Sequence, residues 1–153
     1  MEDPALKDFS ENFHAQINAI AHSHGEGAMK EEIFVEHMGQ ILEENGELET
    51  LTLCQYHSRG ARVDGYSYDD DFKDITLVTS FWSGDADTSA LSVTNTDIKT
   101  ASNRAIGFFQ KALKEGYTKI DVANEAHDLA RVIWECRKEI RRLKIVLITD
   151  GIT

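Results

Sequence analysis

The chain has 153 residues, 41% of them apolar, and a formal net charge of −11, a size that closes one hydrophobic core without metal or disulfide staples. The charge is lopsided: residues 1–90 carry 19 acidic and 5 basic side chains, residues 91–153 carry 8 and 11, so the first part repels a phosphate backbone. No apolar run approaches the roughly 20 residues of a membrane span, and Met1 to Lys7 lack the apolar segment of an export signal, so a single cytoplasmic domain over 1–153 is expected, with no membrane partner.

Leu6, Phe9, Phe13, Ile17 and Ile20 recur at spacings of three and four, which predicts an amphipathic first helix ending near His22, broken by His22-Ser23-His24-Gly25-Glu26-Gly27. Ile33, Phe34, Met38, Ile41 and Leu42 mark a second helix, and Asn45-Gly46 supplies residues that tolerate left-handed geometry at its end. The period then changes. Leu51–Tyr56, Ala61–Tyr66 and Ile75–Trp82 are rich in β-branched and aromatic residues, and the turns Ser58-Arg59-Gly60 and Asp69-Asp70-Asp71 make them an antiparallel meander. After a polar loop from Ser83 to about Asn95, Ile98, Ala101, Ala105, Phe109 and Ala112 predict a third helix stopped by Gly116. Asp121 is placed to cap a fourth, whose stripe runs from Val122 through Ala126, Leu129, Ile133, Cys136 and Ile140 to Leu143, about six turns. The apolar run Lys144–Thr149 fits a strand buried on both faces beside the meander. The expected fold is therefore α/β (α+β), order ααβββααβ, with a central mixed sheet of a three-stranded meander plus a C-terminal strand. Asp150-Gly151 reads as the start of another loop, as in the N-terminal part of a longer chain.

Helix, three strands, helix, strand is the core arrangement of restriction-endonuclease-like nucleases, in which acids on adjacent strands and a helix hold Mg²⁺ against a scissile phosphate. Asp64, at the end of the second strand and next to Gly65, is the candidate first metal ligand, with Glu36 reaching it from the second helix. Such a site also needs an acid and a lysine two residues apart on the following strand. The corresponding positions, about sixteen residues beyond Asp64, are Ser80 and Trp82. Serine is a poor metal ligand and tryptophan has no basic nitrogen, so in this register the hydrolytic site is degenerate.

Other clusters carry duller readings. Asp69, Asp70, Asp71 and Asp74 lack the spaced ligands of a Ca²⁺ loop. His22 and His24 have no third zinc ligand in view, and His37 and His57 stand alone. Cys54 and Cys136 have no CxxC partner and sit at apolar-periodic positions, as buried free thiols do. Arg137, Lys138, Arg141, Arg142 and Lys144 form the single basic cluster; Arg137, Arg141 and Arg142 suit a phosphate or an acidic partner, but equally the negative end of a helix and the acidic part of the chain itself. No Gly-rich phosphate loop, nucleophile elbow, HExxH motif or dinucleotide fingerprint occurs.

The block from Cys54 through Arg62-Val63-Asp64-Gly65-Tyr66 to Asp69, followed by Ile75-Thr76-Leu77-Val78 and closed by Ile145-Val146-Leu147-Ile148-Thr149-Asp150-Gly151, resembles the N-terminal region of abortive infection phage resistance (AIPR) proteins. With Leu42-Glu43-Glu44-Asn45-Gly46-Glu47 before the meander, the resemblance covers nearly all of the chain after about residue 30. It implies a bacterial phage-defence protein several times this length, whose N-terminal domain is similar to restriction-endonuclease-like folds. It carries Asp64 onto the first strand acid and Glu36 onto the helix acid, with Ser80 and Trp82 where an active nuclease shows an acid and a lysine. The expected role is a scaffold or recognition module for the C-terminal remainder of its own chain. The rivals are an Mg²⁺-dependent nuclease using Asp64 and Glu36, with Asp74 as a further acid and Lys73 in place of the missing lysine, and an acidic protein-interaction or self-association module.

Overall fold

The computed structural model describes residues 4–23, 30–82 and 92–150. Four helices and four strands are present among them: α1 (Pro4–Ser23), α2 (Lys30–Glu44), β1 (Thr52–Ser58), β2 (Ala61–Asp69), β3 (Asp74–Phe81), α3 (Asn95–Glu115), α4 (Ala126–Glu135) and β4 (Arg142–Thr149). The sheet order is β1-β2-β3-β4, antiparallel across the meander and parallel between β3 and β4. The expected order of elements and the mixed sheet are both found. His24, the segment 24–29 and most of the loop after Trp82 lie outside the described residues.

Helices cover both faces of the sheet. On one, Ala105, Phe108 and Ala112 of α3 and Leu129, Ala130 and Ile133 of α4 bury against Cys54, Val63, Ile75 and Leu77. On the other, Phe34 and Val35 of α2 meet Leu48, Val78 and Ile148, and Ile17 of α1 packs on Ile33. The alternation of Ile75 and Leu77 with Val78 along β3 is the period-two rule at work. Phe34 and Phe108 are almost completely buried, each contributing about 1.5–3 kcal/mol of transfer free energy.

The α2 terminus forms as its sequence predicts: Gly46 has φ 75° and the Glu47 N–H donates to the Leu42 carbonyl at 2.9 Å. Thr94 caps α3 in a reciprocal box with Asp97, and Gly116, at φ 71°, ends it. In α1 the deepest residues are Ser10, His14 and Ile17, whereas Phe9 is 65% exposed; the buried stripe is rotated from the one that the large apolar residues mark.

Two expectations need correction. α4 has 10 residues, not six turns. The Asp121 and Asn124 carboxylate and amide oxygens accept the Ala123 and Ala126 N–H groups, each at 2.9 Å, making two successive side-chain turns before the helix begins, and Val122 is exposed. At the other end the Arg141 N–H donates to the Lys73 carbonyl at 2.8 Å, and Arg142 pairs with Asp74 in the ladder. Strand pairing thus claims Leu143, and the helix must stop near Cys136 to deliver it. β4, moreover, is covered on both faces, with Leu143 and Ile145 packing toward α3 and α4 and Val146 and Ile148 toward α2, but less deeply than expected: it is an edge strand with β3 as its one strand neighbour, and of its residues only Ile148 is fully buried. The strand enclosed along its length is β3, where every residue from Ile75 to Ser80 is buried.

Candidate functional site

Asp64 sits where β2 and β3 part. Their ladder runs from Asp69↔Asp74 to Gly65↔Val78. Val63 and Tyr66, three residues apart, both pack toward α3 and α4, so β2 changes phase at Asp64 and Gly65. A bulge in β1 between Leu53 and Tyr56 lies alongside. Beyond the last rung the Asp64 carboxylate replaces the ladder: Oδ2 accepts the Ser80 N–H at 2.8 Å, with the Ser80 hydroxyl oxygen 3.2 Å away.

The rest of the carboxylate is equally engaged. Arg62 Nε lies 3.3 Å from Oδ2 and His57 Nε2 3.0 Å from Oδ1, with the Asp64 side chain fully buried. Arg62 shares Asp64's face because the two are separated by one residue of strand, and His57 opposes Arg62 across the hairpin. The Arg62 guanidinium then bridges to Glu31, in the first turn of α2, and Ser80 Oγ donates to the same Glu31 oxygen at 3.0 Å. Burial alone lowers the Arg62 pKa, but Asp64 and then Glu31 more than offset it and hold the guanidinium charged. Arg62, Ser80 and Glu31 open onto a cleft of about 360 Å³ closed by Trp82, Asp97, Thr100 and Arg104.

The structure therefore brings Asp64 and Ser80 together as the sequence register places them, but not Glu36, which is exposed on α2. The helix acid that arrives is Glu31, five residues earlier. Trp82 stacks between His14 (ring centroids 5.0 Å) and Phe34 (4.6 Å), an aromatic anchor for α1 and α2. His14 is itself fixed by the Ser10 carbonyl at 2.8 Å and Asp150 at 2.9 Å. Gly65 serves packing: a Cβ there would lie 2.8 Å from the Leu51 side chain and 3.2 Å from the Thr52 carbonyl oxygen.

The rival donors lie elsewhere. Asp74 and Lys73 are at the start of β3, six residues or about 20 Å of strand from Ser80, where Asp74 pairs with Arg142 and Lys73 with Asp70 and Glu139. In the basic cluster Lys144 meets Glu47, and Arg137 lies over the Trp134 ring at 4.0 Å. Asp69 turns its carboxylate onto the Asp71 and Phe72 N–H groups. His37 packs against Phe13. Both cysteines are free thiols, Cys54 buried and Cys136 half-buried.

A divalent cation needs carboxylate oxygens with lone pairs to spare. Both Asp64 oxygens and one of Glu31 are already occupied by N–H and O–H donors, and a guanidinium lies between the two acids. Among the described residues no three His, Cys, Asp or Glu side chains are grouped to hold a metal ion. The present donor set fits an internal cation, Arg62, and not Mg²⁺.

Residues 34–153 match the family model of the abortive infection phage resistance protein N-terminal domain, well over half of the chain. The chain belongs to this family. No curated protein and no solved structure matches it. The AIPR N-terminal match includes Arg62, Asp64 and Ser80 but begins within α2, so Glu31, which completes the ion network, and all of α1 lie before it. No helix among the described residues is long and apolar enough to cross a membrane.

Proposed function

We propose that this AIPR N-terminal domain is a restriction-endonuclease-like scaffold within a phage-defence protein, with no phosphodiester hydrolysis of its own, acting as a recognition or docking module for the rest of that protein. The element order with Asp64 at the β2–β3 divergence supports the nuclease-like descent. One observation carries the loss of chemistry: the Arg62 guanidinium occupies the space between Asp64 and Glu31, supplying as a fixed side chain the positive charge that a metal would bring. An arginine neutralises the acids but cannot lower the pKa of a bound water or generate hydroxide. Ser80 and Trp82 add neither a third carboxylate nor a lysine.

The experiment is calorimetric titration of Mg²⁺ and Mn²⁺ into wild type and Asp64→Ala, with cleavage of single- and double-stranded DNA and RNA assayed alongside. No saturable heat and no cleavage in either protein are expected. Saturable metal binding and cleavage in wild type, both absent in Asp64→Ala, would overturn the scaffold assignment.

A further inference from the structure

The β2–β3 turn and the segment joining α4 to β4 lie side by side, held by the Arg141 N–H to Lys73 carbonyl bond, by Lys73 with Glu139 at 3.7 Å and by Arg142 with Asp74 at 2.8 Å. Charge is segregated across this seam. Residues 69–74 contain four aspartates and one lysine, whereas residues 137–142 contain four basic residues and one glutamate. The two zones are equal and opposite in net charge.

Much of that charge is not settled within the chain. Lys73 takes Asp70, and Arg142 takes Asp74. Among the described residues the side chains of Asp71, Lys138 and Arg141 have no partner, and all three are exposed. Beside the seam stands Phe72, 70% exposed. One exposed apolar ring is ordinary on a protein surface. Here it belongs to the acidic turn itself, which the Arg141 N–H to Lys73 carbonyl bond joins to the basic segment.

Two copies of a chain with net charge −11 repel over most of their surfaces. This patch is neutral as a whole and polarised across its middle, so a two-fold rotation lays the acidic turn of one copy on the basic segment of the other, twice. An isologous contact requires that self-complementarity. A nucleic-acid backbone is matched by the basic half alone and opposed by the acidic one. We propose that the seam of turn 69–74 and segment 137–142 is an interface between two copies of this chain, with Phe72 as its apolar centre.

Sedimentation velocity of the full chain tests this at low and high salt. A dimer at low salt that dissociates at high salt is expected, because exposed charges are screened. The double variants Asp70→Lys/Asp71→Lys and Lys138→Glu/Arg141→Glu should each be monomeric, an equimolar mixture of the two should pair again, and Phe72→Ser should weaken wild-type pairing at least about tenfold, the effect of losing roughly 1.4 kcal/mol. Circular dichroism separates loss of pairing from loss of folding, and the salt series with Phe72→Ser decides the matter if a charge variant fails to fold. A wild type that stays monomeric at low salt, a dimer indifferent to salt and to Phe72→Ser, or folded charge variants that do not pair on mixing would each overturn the proposal.

Discussion

Replacing Asp64 by alanine separates a structural ion network from a degenerate but still strained metal site. The side chain is fully buried and accepts from the Ser80 N–H, Arg62 and His57. Alanine strands the Ser80 amide beneath the sheet surface, at about 1–3 kcal/mol, and removes one of Arg62's two carboxylates, at about 1.5–3 kcal/mol. Glu31 retains the guanidinium, and His57, about two-fifths exposed, turns to water at little cost. The net expectation is a loss of about 3–4 kcal/mol, within the range for breaking a buried pair. With a urea dependence of about 1–3 kcal/mol per molar, the unfolding midpoint falls by at least about 1 M at unchanged slope. Asp64→Asn retains an acceptor for the Ser80 amide but turns its own NH₂ toward a cation, and should fall between the two. Carboxylates gathered to bind an absent metal repel one another, so neutralising one commonly stabilises the protein. A midpoint for Asp64→Ala equal to or above that of wild type would therefore refute the assignment of Arg62 as the resident counterion.

Two further outcomes follow from packing and titration. A Cβ on Gly107 would lie 2.3 Å from the Gly60 carbonyl oxygen, so although alanine favours a helix by about 1 kcal/mol, Gly107→Ala should cost about 1–3 kcal/mol as α3 is pushed off the β1–β2 hairpin; a raised melting temperature would contradict that close approach. Burial, with Asp64 and Glu125 adding, pushes the Cys54 thiol from 9.0 up to about 12. The folded chain therefore keeps a proton that the unfolded chain releases: this contribution to stability is intact below pH 9 and falls by roughly 1.4 kcal/mol per pH unit as pH rises from 9 to about 12. Cys54→Ala should show a shallower alkaline decline in denaturation midpoints than wild type, and an identical decline would exclude Cys54 as its source.

Local chemistry and tertiary pairing divided the chain between them. The ends of α2 and α3, the hairpin turns and the order ααβββααβ were legible because glycine, Asx residues and a change of apolar period act within a few residues. The length of α4 was not, because Ile140 and Leu143 continue a helical stripe by coincidence. Asx turns at Asp121 and Asn124 shorten it from the front, and the demand that Arg142 meet Asp74 ends it from behind. The shallow burial of β4 has a related cause: its apolar run matches the two covered faces, but an apolar run records what a strand's faces require, not how many strands adjoin it. The threonines and serine of β3, which look half-exposed by composition, are instead enclosed by helices on both sides.

At the site, part of what was missed was nevertheless written in the sequence. Arg62 is two residues before Asp64, and period two alone sets both on one face of β2; a cation beside the expected first metal ligand argues against a metal from sequence alone. His57 follows from the same hairpin register, because Ser58-Arg59-Gly60 makes it Arg62's cross-strand neighbour. Glu31 does not follow in this way. It differs from Glu36 by five residues, about 140° around a helix, and which of the two meets the sheet depends on how Ile33, Phe34 and Val35 seat α2 against Val78 and Trp82. That seating also explains how one arginine can be shared by two acids. With Phe34 and Trp82 in contact, the first turn of α2 is held over the end of β3, so Glu31 reaches Ser80 and Arg62 together. Trp82 thus has a structural use: it fixes the helix whose acid, Glu31, completes the pairing with Arg62.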